Sequence, residues 1–259
     1  MDEALTEHTM ETCKLLCGRR ALVTGSSQGL GRVIAMRLAL EGATVLVNNK
    51  DDENAVCRVV DEIVCAGGRA EAMCADVADE AQVATLFEAA GPVDVLVNNA
   101  RLDPYLRTPA TTDGQWFEAV LHVNLTSAYL CSLAFFEQAK AREWGRIVNI
   151  SSVRAFIPAE MEMIAYGVSK LGMHGLTRAF ASNGSKYGIT ANTIAPGMID
   201  TENIDRRLSP AKRAAETGRI PLGRAASCDE IADVVLFVVK NGYVTGETIN
   251  INGGMHYSP

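Results

Sequence analysis

The sequence predicts an α/β domain in which a parallel sheet is covered by helices on both faces. Three observations carry that expectation. Short β-branched runs alternate with segments of helical apolar spacing, and those segments have the length that a crossover between parallel strands needs. No repeat, low-complexity tract or Pro/Gly-rich linker divides the 259 residues, so a single domain is expected. With 48% hydrophobic residues, the chain can also bury a large core.

In chain order, residues 1–15 are acidic and lack a basic stretch followed by an apolar one. They read as a mobile N-terminal extension rather than a signal peptide, with the folded domain over 16–259. Strands are expected at ALVT (21–24), ATVLVN (43–48), AEAMCADV (70–77), VDVLVN (93–98), RIVNIS (146–151), ITANTIA (189–195) and ETINI (247–251). Long helices are expected around 112–140 and 162–184. The architecture is then Rossmann-type, a doubly wound, parallel, seven-stranded sheet. The stretch 198–221 follows a strand end and carries Asp200, Arg206, Arg207, Pro210, Lys212 and Arg213 in a mainly polar helical pattern; a substrate lid is expected there.

Charge and cysteine content exclude several classes of function. The chain has 31 acidic against 24 basic residues, a net charge of −7, which opposes attraction to nucleic acid or an anionic membrane. No uninterrupted apolar run of membrane-spanning length is evident. The seven cysteines are odd in number, scattered, and mostly within apolar or helical surroundings, so a reducing cytoplasm is expected rather than a disulfide framework. Cys13 and Cys17 have CxxxC spacing, but no second pair completes a metal site, and His8, His122, His174 and His256 form no ligand set. No metal is expected. Trp116, Trp144, Phe117, Phe135 and Phe136 fall on helices or helix ends and read as packing residues.

The chemistry begins after the first strand, at Thr24-Gly25-Ser26-Ser27-Gln28-Gly29-Leu30-Gly31. Glycines let a backbone approach a phosphate, and the N–H groups and dipole of the helix that follows favour negative charge. The same glycines also suit a tight strand-to-helix turn that binds nothing. Downstream, Tyr166 and Lys170 are spaced i, i+4 on a helix and emerge from one face. A phenol ordinarily ionises near pH 10, and a fixed ammonium favours its phenolate by raising the cost of protonation. On spacing alone, a Tyr and a Lys so placed serve packing and solvation equally well.

Together these motifs resemble the short-chain dehydrogenase/reductase family. The glycine spacing is GxxxGxG. Asp76-Val77 follows the third strand and Asn98-Asn99-Ala100 the fourth. Asn124 lies in HVNLTSAY, Ser152 in NISSV, Tyr166 and Lys170 in YGVSK, and Pro196-Gly197 in APGMIDT. All occur in the family's order from about Leu16 to Gly254. The resemblance implies that Tyr166 exchanges a proton, that Lys170 lowers its pKa and holds the nicotinamide ribose, that Ser152 rather than Ser151 bonds the substrate oxygen, and that Asn124 supports a water path to Lys170. It further implies cofactor contacts at Gly25, Ser27, Gln28, Gly29, Leu30, Gly31, Asp76, Val77, Asn98, Ala100, Pro196, Gly197, Ile199 and Thr201. Homotetramers or homodimers are implied by resemblance too. The 14 residues from Ser152 to Tyr166 are one more than in many relatives.

An acid at the end of the second strand would bind a ribose diol and repel a 2′-phosphate. Here Asn49 and Lys50 stand there, followed by Asp51 and Asp52, and the balance leans to NADP over NAD. Arg101 replaces the family's usual glycine after NNA, and Arg154 follows Ser152 by two residues. Two guanidiniums so placed suit a carboxylate, sulfonate or phosphate on the substrate, or else surface ion pairs. The expected reaction is hydride transfer between NAD(P) and a secondary alcohol or ketone. The substrate would be a sugar, a 3-oxoacyl group or a small hydroxy compound, since the chain is similar to 3-oxoacyl-carrier-protein reductases and glucose 1-dehydrogenases about equally. A non-catalytic, cofactor-sensing scaffold is the alternative.

Overall fold

A computed structural model describes residues 14–158, 160–202, 204 and 208–257. Most of the expected N-terminal extension, with Cys13, and Arg206 and Arg207 of the expected lid lie outside the described residues. Among the described residues the first buried side chain is Leu16, which is 1% exposed and whose N–H donates to the Glu41 carbonyl.

The expected strands all form. Strands β1 (Arg20–Val23), β2 (Thr44–Asn49), β3 (Arg69–Cys74), β4 (Val95–Asn98), β5 (Gly145–Ile150) and β6 (Ile189–Pro196) join one parallel sheet, together with Thr248–Ile251 near the end of the chain. Two further two-residue strands, β7 (Ile199–Asp200) and β8 (Ala226–Ser227), pair beside the sheet, so Thr248–Ile251 is β9. The sheet order is β3-β2-β1-β4-β5-β6-β9. Strand order runs outward in opposite directions from the parallel pair β1 and β4, which opens a crevice at their carboxyl ends.

Side-chain alternation explains why both faces are covered. Ala21, Val23, Val95 and Val97 enter one core with Ile34, Leu38, Val56 and Ile63, whereas Leu22 and Leu96 enter the other with Leu86, Phe87 and Phe135. The first face is covered by α1 (Gly29–Leu40), α2 (Glu53–Cys65) and α8 (Cys228–Lys240). The second is covered by α3 (Glu80–Ala90), α5 (Ser127–Ala139) and α6 (Ile164–Gly184), while α4 (Asp113–Leu121) leads into α5 through a π-helical turn, His122–Thr126. The stretch Asp113–Arg142 is long, and its most apolar 18-residue window has a mean hydropathy of 1.5. It packs on β4, β5, α3 and α6.

Polar residues also line the second core. Asn98 donates to Ser132 and Asn149 at 2.9 and 2.8 Å, Asn149 donates to Thr177 at 2.8 Å, and Thr177 lies 2.7 Å from Thr193. These buried bonds tie β4, β5 and β6 to α5 and α6, and each would be costly to leave unmade. One turn nearer the carboxyl ends, His174 on α6 bridges Ser151 and Thr248 of β9, at 2.9 and 2.8 Å. The expected lid contains β7 and α7 (Pro210–Gly218), whose N-terminus Ser209 caps.

Four described cysteines, Cys17, Cys57, Cys65 and Cys74, are exposed rather than set in apolar surroundings, and Cys131 is buried. Helix α2 is amphipathic, and its two cysteines lie on its outer side.

Candidate active site

The Gly-rich turn sits in the crevice between β1 and β4 and is held from both sides. Thr24 Oγ1 accepts from the N–H groups of Asn99 and Ala100 at 3.0 Å, while Asn99 Nδ2 donates to the carbonyls of Thr24 and Gly25. Asn48 Oδ1 accepts from Gly25 N at 3.3 Å. Gly25 has φ 61°, a left-handed value that favours glycine. A Cβ on Gly31 would lie 2.5 Å from both Asn99 Nδ2 and the Gly25 carbonyl, so α1 can start this close to β4 only with glycine.

Dinucleotide binding fits this turn. Helices α2, α3, α4, α7 and α8 are N-capped by Asp52, Asp79, Thr112, Ser209 and Ser227. Gln28, at the same position of α1, makes no side-chain cap, and the first turn holds no acid. Gly29 N instead donates to Glu202 Oε1 at 3.1 Å. Ser27 is buried, Leu30 packs on the core, and Thr201 Cγ2 approaches to 4.0 Å of the position a Gly29 Cβ would take. Gly197 N donates to Ile251, just after Pro196 ends β6, and Ile199 is half-buried in β7.

At the ribose end, Asn49 Nδ2 donates to Ser27 Oγ at 2.5 Å, and Lys50 Nζ lies 3.5 Å from Asp76 and 3.8 Å from Asp51. Val77 is buried against the α3 side of the core. Asn98 turns away from the crevice, its amide spent on Ser132 and Asn149, so a cofactor contact at this position would run through its main chain.

Three of the four expected catalytic residues, Asn124, Tyr166 and Lys170, are linked through α6. Lys170 Nζ is 5.7 Å from the Tyr166 ring centroid and donates to the Ile150 carbonyl at 2.7 Å. Asn124, wholly buried in the π-helical turn, accepts from Leu102 N at 2.7 Å and donates to Ser169 Oγ at 3.0 Å; Ser169 in turn donates to the Tyr166 carbonyl at 2.7 Å. This chain couples the loop after β4 to the helix that carries the Tyr-Lys pair. Ser152 Oγ accepts from Arg154 N at 3.2 Å. Ser151 serves differently, donating to the Lys170 carbonyl at 2.8 Å and meeting His174. The 3₁₀ turns Val153–Ala155 and Met161–Met163 take up part of the long interval, and a Cβ on Gly167 would lie 3.1 Å from the Arg154 carbonyl.

Burial governs the electrostatics here. It pushes the Lys170 ammonium down to about 7, with the Arg101 charge adding to the effect. It also pushes His174 down to about 4, helped by Arg178. Because Ser151 donates to the Lys170 carbonyl, it must accept from His174 Nε2–H, which leaves Nδ1 to accept from Thr248.

Of the two readings of Arg101 and Arg154, an anion grip or ion pairs, the structure shows ion pairs for both. Arg101 lies 3.3 Å from Asp103. Arg154 meets Glu216 of α7 at 2.8 Å and Glu160 at 3.4 Å, and Arg219 bridges the same two acids. Thr24, Asn48, Asn99, Ser169, His174 and Glu202 were not singled out for these roles by sequence. Thr24 and Asn99 stood inside the quoted motifs without a role, and His174 was weighed only as a metal ligand.

The short chain dehydrogenase family model matches residues 19–211. The chain is 36% identical over 249 residues to the 3-oxoacyl-[acyl-carrier-protein] reductase FabG of Pseudomonas aeruginosa, covering 94% of this chain and 99% of that one. It is 35% identical over 252 residues to 3beta-hydroxysteroid dehydrogenase 1 of Eggerthella lenta, covering 94% and 96%. Among solved structures it is similar to a provisional NAD(P)-dependent gluconate 5-dehydrogenase of Beutenbergia cavernae with bound NADP, at TM-score 0.84 and 38% identity, covering 93% and 97%. It is also similar to a provisional gluconate dehydrogenase of Agrobacterium tumefaciens, at TM-score 0.85 and 36% identity, covering 93% and 96%.

Proposed function

Because the chain belongs to the short-chain dehydrogenase/reductase family and is an NAD(P)-dependent oxidoreductase, we propose that it interconverts a secondary alcohol and a ketone with Tyr166 as the proton carrier. The observation that carries this reading is the Lys170 ammonium 5.7 Å from the Tyr166 ring, on a helix fixed to the cofactor crevice through Asn124 and Ser169.

In the reducing direction, Ser152 bonds the substrate carbonyl oxygen. Its Oγ already accepts from Arg154 N, so its O–H remains to donate. Tyr166 gives its proton to that oxygen, and the Lys170 charge stabilises the phenolate left behind. Asn124 has its side chain committed on both ends, so a water relay toward Lys170 runs from its main-chain carbonyl in the π-helical turn. When bound, the nicotinamide supplies or accepts the hydride.

NADP is favoured over NAD. Asn49 presents no carboxylate at the end of β2, and Lys50 with Ser27 offers a cation and a hydroxyl to a 2′-phosphate. The relatives' names, which include an acyl ketone, a sterol alcohol and a sugar acid, are consistent with a secondary carbinol carbon as the reacting centre. Arg101 is the candidate partner for a substrate carboxylate, and the 198–221 stretch covers the substrate. Exposed Phe117, Tyr129 and Leu133 on α4 and α5, with Val168 and Leu171 on α6, are the faces through which copies would pair into a homodimer or homotetramer.

The test is a screen in both directions with NAD and NADP over acyl thioesters, aldoses, sugar acids and hydroxysteroids, with Tyr166→Phe as the control. Turnover lost in the variant supports the reading. Dinucleotide binding without turnover on any substrate, or a Tyr166→Phe enzyme as fast as the unmodified one, would sink it in favour of a cofactor-sensing scaffold.

A further inference from the structure

We infer that Glu202 sits where the cofactor diphosphate must go, so that binding exchanges one anion for another and Glu202 sets cofactor affinity. This rests on the dinucleotide reading of the Gly-rich turn given above.

Helix α1 starts without a side chain of its own over its first N–H groups, and the carboxylate that serves it comes from 173 residues away. Oε1 of Glu202 accepts from Gly29 N at 3.1 Å, and Oε2 lies 3.9 Å from the Arg32 guanidinium. The delivery is built into the fold. Strand β7 ends two residues earlier, held by its pairing with β8 and by the Cys228 thiol on the Asp200 carbonyl, and Thr201 packs toward Gly29.

The contact is also weak enough to exchange. The Glu202 side chain is 50% exposed, and Arg32 makes its short ion pair, 2.6 Å, with Glu62 instead. A lone, half-solvated carboxylate gains little from such a bond. A diphosphate carries more charge and more acceptor oxygens, so it wins the same N–H groups, but it must first displace Glu202 and then tolerate its charge nearby.

Glu202→Gln keeps the length of the side chain and removes the charge. Equilibrium titration of the whole protein by nucleotide fluorescence is expected to show NADPH and NADH both binding roughly three- to tenfold tighter in the variant. The gain should survive a rise in salt from ~50 to ~300 mM, because a local exchange is screened less than a diffuse field. The thermal shift produced by saturating NADPH should grow correspondingly. Equal or weaker binding in Glu202→Gln overturns the inference, as does a gain that vanishes in the higher salt. If the unmodified protein binds neither dinucleotide, the failure lies with the cofactor reading itself, which the same titration reveals before the variant is compared.

Discussion

Replacing Lys170 with Met should end catalysis and yet make the protein more stable. Lys170 is 1% exposed, and burial followed by the Arg101 charge lowers its pKa from 10.5 to about 7. A fall of about 3.5 units, at about 1.36 kcal/mol each, puts the burden of a charged Lys170 near 5 kcal/mol as an upper bound. Met fills similar volume without charge, but it leaves the Ile150 carbonyl without a donor, a loss of about 1–2 kcal/mol. A net gain of at most about 3 kcal/mol is left at pH 6. The sign follows from linkage: with the folded pKa depressed, the group's favourable contribution is present above pH 10.5 and is lost as pH falls from 10.5 to about 7. The advantage of Lys170→Met should therefore be full below pH 7 and shrink toward pH 10. Urea unfolding of both proteins at pH 6, 8 and 9.5 measures it, and using the difference between them cancels the other titrating groups. A variant less stable than its parent at pH 6, or a gap that does not change with pH, would refute the reasoning.

Three further perturbations probe the surroundings. His174, held at about 4 against an ordinary 6.5, should contribute stability above pH 6.5 that is lost as pH falls from 6.5 to 4, about 3 kcal/mol in total; His174→Gln should flatten that part of the acid unfolding curve, and an unchanged curve would count against a neutral buried imidazole. Gly31→Ala drives a methyl to 2.5 Å of Asn99 and the Gly25 carbonyl, so it should cost about 1–3 kcal/mol in urea unfolding and abolish dinucleotide binding by titration. Asn149→Leu removes partners from both Asn98 and Thr177 inside the second core. It should destabilise by about 2–4 kcal/mol in the same assay, and a neutral result would mean those bonds are replaced at no cost.

The strands were legible because a parallel sheet buried on both faces needs near-continuous apolar runs, which is how β1, β2 and β4 read. The Tyr166–Lys170 pair was legible as a helical spacing, and the start of α1 as glycines after a strand. Bonds between distant residues left no such trace. Arg154 meets Glu216 across 62 residues, and Asn99 reaches back 75 to Thr24. Neither pairing has a period or a local motif, so only the folded topology brings the partners together. The two-residue strands β7 and β8 are too short to raise a pattern above their neighbours. Arg154 shows the limit most sharply, since its place beside Ser152 and an ion pair were readable while its partner on α7 was not.

The last strand of the sheet has a consequence for a chain that lacks it. β9 closes the edge of β6 and supplies Thr248, whose hydroxyl donates to His174 Nδ1 and fixes the imidazole behind Ser151 and Lys170. Without β9 the β6 edge has no strand partner on that side, and the His174 imidazole loses its Thr248 bond. In the folded protein, β9 therefore completes the brace behind the helix that carries Tyr166 and Lys170. A nascent or truncated chain without β9 would present both an open strand edge and an incompletely supported proton-transfer helix, which marks it for capture by the quality-control machinery.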